Sequence, residues 1–252
     1  FLHGTPNHFA VRQLLLTYYQ RPGDGVDDDR RKSRRTAHAL WIVEHAPESH
    51  VAGTPFVNFK RNTDRRIRRK VQRLWDAALA KRPSDADVLT NAARYYELAH
   101  SGDPESLYRR AVSVDDRNPH RYRELVHYLG RRIMGTDVSE RAKLAASALE
   151  WARAGRRIVT SSPTVDSCDS LDECGFLKLE ARLLQIMGDY TRARATAESL
   201  LAKAEAMPMP DGDLIHAAHT VLGCVAIEDR DVDAALRHLS AWFEAVPATG
   251  LT

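Results

Sequence analysis

Apolar residues return at helical spacing along most of the 252-residue chain, in stretches cut by short breaks of proline, glycine, aspartate and asparagine. Val11, Leu14, Leu15 and Tyr18 form one such set before Arg21-Pro22-Gly23-Asp24-Gly25. Ile67, Val71, Leu74, Trp75 and Ala78 form another, which Thr63 or Asp64 can cap and Pro83 ends. A helix start is expected near Asp27 or Asp28, and another at Pro104, because proline is well placed at a first helical position. Val51 to Asn62 has little period and reads as a loop held down by Val51, Phe56 and Phe59. No alternating segment is long enough for a strand. The expected fold class is all-α.

A hydrophobic content of 43% suffices for a continuous core in a chain of this length. The formal charge of +3, from 37 basic and 34 acidic residues, gives no global attraction to nucleic acid or membrane, so only local clusters matter. Cys168, Cys174 and Cys224 form no CxxC pair and no disulfide framework, which fits a reducing, cytoplasmic compartment. No run approaches the roughly 18 apolar residues of a membrane span, and a soluble domain is expected. The chain opens on Phe1, so a fragment or a product that has lost an upstream signal is expected.

The last stretch carries a recognisable unit. Leu222-Gly223 is followed by an Arg230-Asp231 turn, the small Ala235 and the closing Pro247. Before it stand Leu177, Ala181 and Leu184, then Gly188-Asp189-Tyr190, then Ala193; earlier come Val88, Ala92 and Tyr95-Tyr96, and Tyr122, Leu125 and Val126. In this pattern the chain resembles the tetratricopeptide repeat, in the degenerate form of bacterial type. His219 stands where the family has tryptophan, Ala181 replaces a glycine, and Pro104 delays the second helix of its unit.

The resemblance implies a right-handed superhelical solenoid of antiparallel helix pairs with a concave face. Residues 1–252 are then a single domain. It has degenerate helices over 1–84, repeats with a longer second helix over 85–160, a Ser/Asp-rich linker over 161–175, and the two best repeats over 176–252. Small residues at Ala92, Ala181 and Gly223 let paired helices approach closely.

In that register the concave face carries Arg123, His127 and Arg131 from one first helix and Lys178 and Arg182 from the next, with Leu179 and Ile186 as apolar anchors. Such a groove suits an acidic peptide through charge-assisted hydrogen bonds. Arg123 and Arg182 are expected to be exposed. The asparagines that carboxylate-clamping members use are absent, so that activity is not carried over.

A second cluster runs from Lys60 to Arg73. Arg65, Arg69 and Arg73 share a helix face, with Arg66 and Lys70 beside them. It fits phosphates or an acidic surface, but no aromatic residue interleaves for base stacking. For both clusters the bland alternative is a solvated helix face.

Among eleven histidines the closest pair, His216 and His219, has no nearby carboxylate or cysteine, and His219 falls on a core position; Cys224 also reads as core. No metal, cofactor or catalytic residue is expected, and no phosphate loop, GxSxG or HExxH motif is present. The reading is a protein-binding scaffold, not an enzyme. A nucleic-acid or anion-binding module using helix 60–73 and an unrecognised helical enzyme are the alternatives. The partner's identity and the oligomeric state are not legible in the sequence.

Overall fold

The computed structural model describes residues 8–19, 27–55, 57, 64–161 and 168–245, with backbone only for 168–171 and 244–245. Among them are eleven α-helices and no strand. They are α1 (Phe9–Tyr18), α2 (Asp28–His45), α3 (Arg65–Lys81), α4 (Ala86–Ala99), α5 (Pro104–Val114) and α6 (Pro119–Met134), followed by α7 (Val138–Ser161), α8 (Cys168–Ile186), α9 (Tyr190–Glu205), α10 (Gly212–Glu228) and α11 (Val232–Ala245). The helix starts follow local chemistry. The carboxylates of Asp27, Asp64, Asp85, Asp103, Asp189 and Asp211 and the amide oxygen of Asn118 each accept a hydrogen bond from a first-turn N–H, and Pro104 and Pro119 open their helices.

The residues pack as two compact units, Phe1–Asp116 and Arg117–Thr252, where the sequence suggested one domain. In the first, each helix packs on the next, and a 3-10 turn, His50–Gly53, lies against α2 and α4. Trp75 is 1% exposed and stacks on Tyr95 at 6.3 Å. Asn91 donates to the carbonyls of Pro47 and Ser49, both at 2.9 Å, and so ties the 3-10 turn to α4. A Cβ on Gly53 would stand 2.1 Å from the Asn91 amide oxygen, so only glycine fits this approach. Val51 and Val57 hold the segment down as buried residues. Phe56, Phe59, Lys60 and Arg61 lie outside the described residues.

In the second unit, helices α6 to α11 also pack consecutively, and α8 additionally touches α6 and runs along α10. Gly155 of α7 marks the tightest approach. A Cβ there would fall 2.4 Å from the Phe176 ring of α8 and 2.8 Å from Cβ of Tyr122 of α6. Leu177, Cys174, Leu200, Ala204, Leu214 and Ala218 join α8, α9 and α10 in one buried cluster. Ala181, Leu184 and Ala193 are buried.

Two expectations need correction. The linker read over 161–175 is shorter, because α7 runs to Ser161 and α8 already starts at Cys168. Serine and aspartate suggested a loop, but Cys174, Phe176 and Leu177 bury their side chains and hold the segment helical. Cys174 is accordingly a core thiol, and burial pushes its pKa up. Cys224, expected in the core, is only half-buried. Of the Cys168 side chain nothing is described. No helix among the described residues is long and apolar enough to cross a membrane.

Candidate functional site

The register of α6 spaces Arg123, His127 and Arg131 at successive turns, and that of α8 does the same for Lys178 and Arg182. His127 is the informative residue. Its side chain is open to solvent, yet desolvation is the largest influence on its imidazole and lowers its pKa. Glu124 opposes that shift, while Arg131, Arg123 and Lys178 add to it by charge repulsion, so four of the five sequence-predicted groove residues act on one place. Arg182, one turn beyond Lys178, is exposed. Leu179 and Ile186 are half-buried.

Arg123 departs from expectation. Instead of standing exposed, it is half-buried and its guanidinium donates to Asp172 of α8 at 2.7 Å. The α8 start that the sequence concealed therefore brings an acid beside these cations. Arg131 and Arg182 are exposed.

Burial elsewhere in this unit reveals a group that the periodicity passed over. Glu180 is 2% exposed on α8, with Oε1 2.8 Å from Arg156 Nε and Oε2 3.8 Å from Arg153 Nε. Desolvation outweighs the two arginines and raises its pKa. A glutamate on an otherwise apolar helix face was the available signal.

The first unit carries the other cluster. Arg65, Arg66, Arg69, Lys70 and Arg73 of α3 are all exposed, opposite buried Val71, Trp75 and Ala78. Cations in the first turns face the positive end of the helix dipole, with Asp64 alone as a capping acid, so anions are favoured there. A shallow depression of about 510 Å³ on α5 is lined by Asp103, Glu105, Arg109 and Arg110 and includes none of the sequence-predicted residues.

His219, expected on a core position, is only half-buried. His216 turns onto the Trp242 ring at 4.6 Å, while His219 of α10 meets His238 of α11. Among the described residues no group of three or more His, Cys, Asp or Glu side chains is arranged to hold a metal. No protein-family model matches the chain, and a search of curated proteins returns no significant match.

Proposed function

We propose that this chain is a protein-interaction module with a tetratricopeptide-like arrangement, and that the recess between α6 and α8 takes an acidic peptide. The single observation that carries the reading is the exposed His127 on α6, on which Arg123 and Arg131 of the same helix and Lys178 of α8 act together. Consecutive antiparallel packing and the contact of α8 with both α6 and α10 support a repeat-like layout, in which first helices line one face. A right-handed superhelix is the form this reading expects.

Exposed ion pairs contribute only about 0.2 to 1 kcal/mol each, so several must act together. Leu179 and Ile186 beside the cations add apolar contact. The test is fluorescence anisotropy of a labelled glutamate-rich peptide at low salt, with the parent and an Arg131→Glu/Arg182→Glu variant. Affinity should fall roughly tenfold or more in the variant, with helicity and melting unchanged. Equal affinity would move the binding surface elsewhere. The exposed cations opening α3 favour a second reading, anion binding by the Arg65 to Arg73 face.

A further inference from the structure

Helices α10 and α11 are antiparallel neighbours, and their register sets two ring pairs side by side. His216 packs at a tilt against Trp242, and one turn further along α10 His219 faces His238. Gly223 lies on the same α10 face; a Cβ there would rest 3.6 Å from Cβ of His238, so α11 runs close along this side. The two Nδ1 atoms stand 3.1 Å apart.

We propose that His219 and His238 form a two-imidazole site for a divalent transition metal of the zinc, nickel and copper class, clasping α11 to α10. Metal–imidazole bonds of about 2.0 to 2.1 Å place two ligating nitrogens roughly 2.9 to 3.4 Å apart, for angles between a right angle and the tetrahedral one. The observed separation falls inside that range. Imidazole nitrogens suit this class of metal and not magnesium or calcium, which take oxygen.

Burial is the largest influence on both rings and lowers both pKa values, which leaves neutral lone pairs at neutral pH. From α9, Glu205 acts on His219 and Glu198 acts on His238, each favouring positive charge at its imidazole. Arg237 and Arg194 act in the opposite sense on His238. Arg194 is itself paired with Asp229. Among the described residues no third side chain completes the set, so water or a donor from a partner fills the remaining positions. In the absence of metal the same geometry serves as a hydrogen bond, one Nδ1–H donating to the other Nδ1.

The test uses the full chain stripped with a chelator and then titrated with Zn2+, Ni2+ or Cu2+, with Mg2+ as control. Thermal unfolding should shift upward with the transition metals and not with Mg2+, since a ligand bound only by the folded state stabilises it. With Cu2+, electron paramagnetic resonance should show coupling to two nitrogens. His219→Gln and His238→Gln should each reduce this to one nitrogen and weaken binding by roughly tenfold or more, because a chelating pair has lost one arm. The nitrogen count reads coordination directly, so it stays informative even if a variant is less stable. An unchanged melting curve and spectrum on adding metal, or two-nitrogen coupling that survives in the double variant, would overturn the proposal.

Discussion

The turns from α8 to α9 and from α10 to α11 pass through Gly188-Asp189 and Arg230-Asp231, and both residues before the aspartate have positive φ, 76° and 61°. Glycine adopts this conformation without strain; an arginine with its Cβ there costs about 1 to 2 kcal/mol. Arg230→Gly should therefore raise stability by roughly 0.5 to 1 kcal/mol, since glycine's greater freedom in the unfolded chain offsets part of the relief. Chemical denaturation checks this, and a lower midpoint would refute the assigned strain. Glu180 gives a second residue-scale prediction. Its pKa is raised in the folded chain, so the folded state holds the proton more tightly and stability falls as pH rises from about 4.5 through the folded value. Above that value the charge remains a burden, and Glu180→Gln should be at least as stable as the parent at neutral pH. A loss of more than about 1 kcal/mol would mean that the pairs with Arg153 and Arg156 outweigh desolvation.

At the scale of elements, the close approaches differ in kind. Gly155→Ala drives a methyl into Phe176 and Tyr122 and should destabilise by about 1 to 3 kcal/mol. At Gly223 a Cβ makes ordinary contact with His238, so Gly223→Ala should be mild while Gly223→Leu, which must displace that ring, should lower the melting temperature markedly. Equal melting of the Gly155→Ala and Gly223→Ala variants would contradict this ranking. Gly223 was legible because the sequence sets it, as the small residue of a Leu-Gly pair, within an apolar helical stretch. Gly155 was not, because what makes it necessary is a phenylalanine twenty-one residues later and a tyrosine of another helix. Helix starts were legible for the opposite reason: an aspartate caps its own first turn and needs no distant partner. The start of α8 escaped because its serine and aspartate content is local, whereas the burial of Cys174, Phe176 and Leu177 that holds it is tertiary. The His219–His238 contact spans helices and has no spacing signature.

At the scale of the molecule, the chain offers two basic surfaces in two different units, the recess around His127 and the α3 face from Arg65 to Arg73. They respond differently to pH. The charges of α3 are permanent, whereas His127 is held neutral by burial and by Arg123, Arg131 and Lys178 against Glu124. An anionic ligand in the recess favours its protonation, so peptide affinity should increase as pH falls below about 6.5, and His127→Gln should remove that increase. The two surfaces also differ in which lysine they hold, Lys178 in the recess and Lys70 on α3. The most direct measurement is zero-length carbodiimide coupling of a glutamate-rich peptide to the full chain, mapped by mass spectrometry. The recess account predicts coupling at Lys178 that is competed by unlabelled peptide and lost in the Arg131→Glu/Arg182→Glu variant. Coupling confined to Lys70, with Lys178 unmodified, would contradict it and assign the acidic partner to α3.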